Sequence, residues 1–382
     1  MNNKLQYKLI AVLFIIILCL FGISSDYKLI DYYINDTLYN EYWNPSLGRK
    51  NETEYTVVFL GKRFFVDING AIRNMLKQQE MNEVCKLDNG HLTALISSPI
   101  NNETLKTEAL NVQKLYLCCK EIGVPFIFIA TPDKISPYDN KLPQGETDYS
   151  NLNTDVFLQE LKKQGVPFID LREEFYKNGL DQYRYFSKTD HHWNAYGGYY
   201  GYLEIQRWLD TEGIVYDKIP SDLNNYTINV YPQKLLGSWG QRTGKYFAGL
   251  DDFYVFLPKF ETSVTIESGT ITASYEDVLI DCNLLSAKTP GFIYDGVYCN
   301  TRDVTNNMAK NESSVLLIGD SFSRVVNPYI ILSIKKFSWR STYLSADITR
   351  NFLESGDFDA IILLQSPWNN LGREASYCFL TQ

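Results

Sequence analysis

Apolar positions change period several times along the chain, and each change predicts an element. From Thr104 to Ile122, residues Leu105, Leu110, Val112, Leu115, Tyr116 and Cys119 fall near one helical face, and Gly123 ends the run. Val124–Ala130 (VPFIFIA) is continuously apolar, as a central parallel strand is. Thr154–Gln164 predicts a second helix, and Val166–Leu171 (VPFIDL) a second strand after Gly165. Asn194–Leu209 predicts a third helix. Two shorter runs, Tyr55–Leu60 and Arg63–Ile68, predict strands around Gly61. From about Thr211 to Lys310 the pattern becomes short Thr-, Val-, Tyr- and Phe-rich stretches (YTINVY, FYVFL, SVTIES, TITASY), predicting a β-rich insertion. Helix–strand alternation returns with Ser314–Ile318, a helix from about Ser323, and Phe358–Leu364. The fold class is therefore α/β, a layered sandwich around a mostly parallel sheet.

One segment departs from this pattern. Leu9–Ile23 is uncharged and apolar, and it follows Lys4 and Lys8. Its length suits a short anchor or a long signal-peptide core, and the two lysines favour a cytoplasmic N-terminus with the remainder exported. An uncleaved single-pass anchor is the favoured reading over a cleaved signal. Residues 26–54 then form a juxtamembrane stalk. The 36 Lys and Arg against 45 Asp and Glu leave a net charge of −9, which argues against a nucleic-acid partner. Outside the apolar segment six cysteines remain, and their connectivity is open. Cys282 and Cys299 are close enough in sequence to staple a local loop.

The strongest chemical signal is Ser314-Val-Leu-Leu-Ile-Gly-Asp-Ser-Phe-Ser323, an apolar strand entering a Gly-Asp-Ser turn ahead of a helix. That geometry places Ser321 at the carboxyl end of a parallel strand, where open α/β sheets build their sites. Its backbone N–H then lies near a helix N-terminus, where an oxyanion can form. The competing reading is a plain turn in which Asp or Ser caps the helix. A nucleophilic serine needs a base, and the chain holds only His91, His191 and His192. His91 lies in a turn-like context. The other two lie in Ser187-Lys-Thr-Asp-His-His-Trp-Asn194, where Asp190 can face one side of the His192 imidazole while the other side reaches a serine. Metal binding by Asp190, His191 and His192 is disfavoured, because adjacent side chains diverge and no second ligand cluster stands out. No metal or cofactor is expected.

Together, TDHHWN and the later GDSFS resemble the DHHW-type proteins and the alginate O-acetyltransferase AlgJ/AlgX group, relatives of the SGNH hydrolases. Thr131-Pro-Asp-Lys134 is similar to a Pro-x-Lys element of that group. The resemblance spans about residues 55–382, discontinuously. It implies an SGNH-like three-layer sandwich with the motif order permuted relative to ordinary SGNH hydrolases. Residues 1–25 are then the signal-anchor, 55–210 and 311–382 the catalytic core, and 211–310 the β-rich insertion. Carried over motif by motif, Ser321 is the nucleophile, His192 the base and Asp190 its orienting carboxylate. The implied activity is an extracytoplasmic O-acyltransfer, most simply O-acetyl, to a cell-surface or secreted polysaccharide. The acyl donor would come from a membrane-bound O-acyltransferase. A secreted carbohydrate esterase and a non-catalytic carbohydrate-binding envelope protein are the alternatives.

Four further residues are candidate substrate contacts: Lys134 after the first central strand, Asn194 and Arg324 next to the two motifs, and Trp239 in the insertion. The crossover between Asp190/His192 and Ser321 is far longer than a sheet needs, so 211–310 is expected to form a lobe beside the cleft, with Trp239, Tyr246 and Phe253 as acceptor contacts.

Overall fold

A computed structural model describes residues 12, 15, 62–266, 271–273, 303–342, 348–373, 377, 379 and 380. Of the expected anchor only Val12 and Ile15 are among them. No helix within the described residues is long and apolar enough to cross a membrane. The stalk, the Tyr55–Leu60 strand and the Cys282–Cys299 pair also lie outside them.

The chain begins with helix α1 (Lys62–Met75) and strands β1 (Glu80–Met81), β2 (Val84–Lys86) and β3 (Leu92–Thr93). Next come α2 (Asn102–Glu121), β4 (Phe126–Ala130), α3 (Ser150–Lys163), β5 (Phe168–Asp170), α4 (Leu171–Lys177) and α5 (Ala195–Thr211). The insertion holds β6 (Tyr226–Leu235), α6 (Ser238–Thr243), α7 (Lys245–Ala248), β7 (Asp251–Pro258), β8 (Val264–Ile266), β9 (Ile271–Ala273) and β10 (Asp303–Asn306). The chain closes with β11 (Ser314–Gly319), α8 (Ser323–Ser333), β12 (Lys336–Ser341), α9 (Arg350–Ser355), β13 (Ala360–Gln365) and α10 (Pro367–Asn370).

The central sheet runs β5-β4-β13-β11-β12-β10-β8-β9. Its first five strands are parallel and the last three antiparallel, so the fold is α/β with a mostly parallel sheet. Side chains alternate across a strand, and this sheet sorts them into two cores. Ile127, Ile129, Val315, Leu317, Ile362 and Leu364 pack with α5 and α8 on one face. Phe126, Phe128, Leu316, Ile318, Ile361 and Leu363 pack with α2 and α3 on the other. Burial on both faces is why VPFIFIA and SVLLI read as unbroken apolar runs.

Arg63–Ile68 lies within helix α1 and is not a strand. Six residues of RFFVDI are too few to reveal the period, but Ile68, Ile72 and Met75 continue it at helical spacing. That face is exposed, while Gly70 lies against Thr243 and Phe247, where a Cβ would stand 2.4 Å from the Thr243 carbonyl oxygen. The described strands of residues 211–310 fall in two sheets. β6 and β7 form a separate antiparallel ribbon, whereas β8 and β10 extend the central sheet. Phe253 is buried in the larger core, which removes it as an acceptor contact. Cys85, Cys118 and Cys119 are buried free thiols.

Glu108 of α2 is buried, and its Oε1 accepts from the Gly372 N–H at 2.8 Å. Burial raises its carboxyl to about 7, against the opposing Gly372 bond. The folded state therefore holds this proton more tightly than the unfolded chain, so the group's stability contribution is lost as pH rises from about 4.5 through 7. Glu108→Gln should raise the melting temperature at pH 8, by about 1–3 kcal/mol of stability, and change little at pH 4.5. Equal shifts at both pH values in thermal unfolding would contradict this.

Candidate active site

The carboxyl ends of β4, β13 and β11 share one edge of the sheet, and the turns after them carry Thr131, Ser366 and Ser321. Asp320 braces that edge. Its Oδ1 accepts from the Phe322 N–H at 3.0 Å, and its Oδ2 from the Ser366 N–H at 2.8 Å and the Asn370 amide at 2.6 Å. Burial raises the Asp320 carboxyl and these three donors oppose the rise. Asp320 therefore closes a turn on Phe322 but does not cap α8, whose N-cap is Phe322 without a side-chain bond, and Ser321 sits at the tip of that turn.

Ser321 Oγ lies 2.7 Å from His192 Nε2, and His192 Nδ1 lies 2.6 Å from Asp190 Oδ1. The chain thus brings together, from 129 residues apart, the three side chains that the motifs single out. Asp190 is fully buried. Its Oδ1 also accepts from the His192 N–H at 2.9 Å and its Oδ2 from the Ser238 N–H at 2.6 Å. Burial alone would raise its carboxyl, but His192, by charge and by hydrogen bond, and then His191 and Ser238, hold it well below the usual carboxylate range. The pair therefore carries a fixed anion against the imidazole Nδ1, which selects the tautomer whose Nε2 accepts a proton.

Ser238 is a residue the motif reading missed, since it lies 48 residues from Asp190 with no pattern of its own. It opens α6, and its hydroxyl also bonds His191 Nδ1 at 2.7 Å. Gly237 makes this approach possible: a Cβ there would stand 2.3 Å from the Asp190 Cβ. His191 is lowered to about 3 by burial and by the neighbouring His192, so its ring is neutral. Asp190, His191 and His192 each offer a ligand-type atom within 4.8 Å of one another. Those atoms already bond each other, Ser238 and Ser321.

Trp193 locks the two motifs together. It is fully buried, and its indole N–H donates to the Phe322 carbonyl at 2.9 Å. Gly197 and Gly201 of α5 receive Trp193, where a Cβ would stand 2.7 Å from the Trp193 Cβ and 2.8 Å from its ring respectively, and Gly198 receives Val325 of α8. This glycine-rich helix face lets α8, and so the serine turn, sit close to the histidine loop.

The four candidate contacts divide. Lys134 does not face the cleft. It is 2% exposed, and its ammonium donates to the Ser187 carbonyl at 2.5 Å, to the Lys188 carbonyl at 3.4 Å and to the Asp190 carbonyl. Burial lowers it to about 8, against Asp190, Asp251 and Asp133. A lysine stem is long enough to carry a cation from the TPDK turn under the histidine loop, and three converging carbonyls hold it there. Asn194 caps α5, accepting from the Tyr196 and Gly197 N–H groups at 3.0 and 3.2 Å and donating to the Arg184 carbonyl. Its amide is engaged in the cap rather than aimed at Ser321. Arg324 is half-buried in the first turn of α8. Trp239 of α6 stands 5.7 Å from the His191 ring and 6.0 Å, edge-on, from Trp368, a second aromatic that the sequence reading missed. These rings make an aromatic wall beside the histidine pair.

Comparison with known proteins fits this arrangement. Residues 99–226 match the SGNH hydrolase-like domain of the acetyltransferase AlgX family. The matched segment contains the TPDK turn and the DHHW loop and ends before Ser321. The resemblance drawn from the motifs is therefore shown for the part of the chain that carries the TPDK turn and the DHHW loop. No curated protein matches. Among solved structures, Bacillus cereus PatB1 with a sulfonyl adduct is similar at 20% identity and a TM-score of 0.62, over 80% of this chain and 99% of that one. A DHHW family protein from Eubacterium siraeum is similar at 14% identity and a TM-score of 0.58, over 79% and 98%. At these identities the likeness is one of fold.

Proposed function

We propose that the protein is a serine-dependent O-acyltransferase that acetylates a cell-surface or secreted polysaccharide outside the cytoplasm. The observation that carries the reading is the hydrogen-bonded series Asp190–His192–Ser321 at the carboxyl edge of the sheet. His192 Nε2 takes the Ser321 proton as Oγ attacks the acyl carbonyl, and Asp190 stabilises the imidazolium that forms. The tetrahedral oxyanion develops at the N-terminus of α8, where the Ser321 backbone N–H is the donor in reach of its own Oγ. Collapse expels the donor's leaving group with the proton from His192 and leaves an ester on Ser321. A sugar hydroxyl, deprotonated by His192, then attacks that ester and carries the acyl group away. Trp239 and Trp368 offer the flat apolar surface on which a sugar ring lies beside the ester.

Support for transfer over hydrolysis comes from the match to an acetyltransferase family. Support for a membrane-proximal location comes from the Leu9–Ile23 segment and from the exposed apolar seam Ile68, Ile72 and Met75 on α1, continued by exposed Leu76 just past its end. A membrane-bound acyl donor system on the same membrane fits that placement. Purified full-length protein given p-nitrophenyl acetate and a neutral polysaccharide should place acetyl groups on the sugar, read by NMR. Release of free acetate alone, undiminished by any polysaccharide tried, would favour the esterase reading.

A further inference from the structure

One cavity in the described part of the molecule lies apart from Ser321. It has a volume of about 730 Å³ and is lined by residues that include Tyr183, Tyr196 and Tyr254 with Lys188, Asp251 and Asp252. Neither Ser321 nor His191, His192, Trp239 or Trp368 lines it. It nevertheless abuts the reaction centre, because its wall includes Ser187, whose N–H donates to the His192 carbonyl at 3.4 Å.

The lining selects a ligand class. Tyr196 and Tyr254 meet edge to face, 5.5 Å between centroids, and leave an aromatic corner of the kind that packs against the C–H face of a sugar ring. The cations are matched by anions: Lys141 pairs with Asp139 at 2.8 Å, and Arg184 with Asp181 at 3.6 Å. Together with Lys188, these face four lining carboxylates, Asp139, Asp181, Asp251 and Asp252. A polyanion would meet excess negative charge, and an apolar ligand would strand this polar wall. A neutral, hydroxyl-rich chain suits both the donors and the acceptors. His91 adds an unpartnered polar group to the lining. It lines the cavity at 4% exposure, and its Nδ1 has no hydrogen-bond partner among the described residues. A buried polar atom left in this state gains by meeting a hydroxyl. The volume falls within the range of ligand sites.

We propose that this cavity is a second, non-catalytic site that holds a neutral glycan chain beside the loop carrying Asp190 and His192, so that a neighbouring sugar of the same chain presents its hydroxyl to Ser321. The proposal rests on the polysaccharide reading above for its purpose, and its test reads binding rather than transfer. Full-length protein with Ser321→Ala is titrated with cellohexaose, maltohexaose and chitohexaose, and with a hexamer of galacturonic acid, by calorimetry. At least one neutral hexamer should bind, and Tyr254→Ala in the same background should weaken it about tenfold or more. In the protein with Ser321 intact, Tyr254→Ala should leave p-nitrophenyl acetate turnover within twofold, because a small ester does not span the two sites. Binding of the acidic hexamer alone, of no hexamer, or with unchanged affinity in Tyr254→Ala would overturn the proposal. If glycan binds here as expected but no acetyl transfer occurs, the site stands and the transferase reading falls.

Discussion

Replacing Ser321 or His192 by alanine should each lower turnover of a small acetyl ester by roughly 10⁴- to 10⁶-fold, and the double variant should be no worse than either single one. The two side chains share one proton across 2.7 Å, so removing either removes the same attacking alkoxide. Asp190→Asn should cost roughly 10⁴-fold, somewhat less than the larger of these losses, since the amide presents the wrong partner to His192 Nδ1. His191→Ala provides the contrast. Its Nδ1 bonds Ser238 and its neutral ring lies tilted against His192, 3.7 Å between centroids, so the loss should stay near tenfold. Steady-state kinetics on folded variants, checked by circular dichroism, distinguish these outcomes. A severe His191 variant with a mild His192 variant would move the base by one residue.

The second large effect belongs to Lys134. Lys134→Met should destabilise the protein by about 3–5 kcal/mol, because it strands the Ser187, Lys188 and Asp190 carbonyls and removes a cation that interacts with three buried carboxylates. Turnover should fall as well at temperatures where the variant is still folded, since the carbonyl of Asp190 loses its tether. The combination of thermal unfolding and kinetics checks this. A variant that melts with the wild type and turns over normally would show that the histidine loop is held by its other contacts.

Lys134 also marks where sequence reading stops. Its place after a central strand is legible from VPFIFIA, because burial on both sheet faces leaves an unbroken apolar run. Its direction is not, because a lysine stem reaches equally well outward to a ligand or inward to carbonyls, and only the fold brings residues 187–190 within its reach. The same holds for Ser238 and Trp368. Each arrives at the histidines from a distant segment, through contacts without periodicity. Ser321, His192 and Asp190 could be singled out because local rules constrain them: a strand-to-helix turn for the serine, and a carboxylate two residues from an imidazole. RFFVDI misled for the opposite reason, since six residues fit either period and the deciding positions, Ile72 and Met75, lie beyond it. In 211–310 the strands were visible, but strand content does not say which sheet a strand joins.

The central claim is that Ser321 is the acyl-carrying nucleophile, and the most direct test is covalent capture. Full-length protein is treated with phenylmethanesulfonyl fluoride, which forms a sulfonyl ester on an activated serine oxygen as fluoride leaves and the imidazole takes the proton. Intact mass and peptide mapping then locate the product. The account predicts a single adduct on Ser321, absent in Ser321→Ala and strongly slowed in His192→Ala. A folded protein that stays unlabelled, or an adduct that forms equally well in Ser321→Ala, would contradict it.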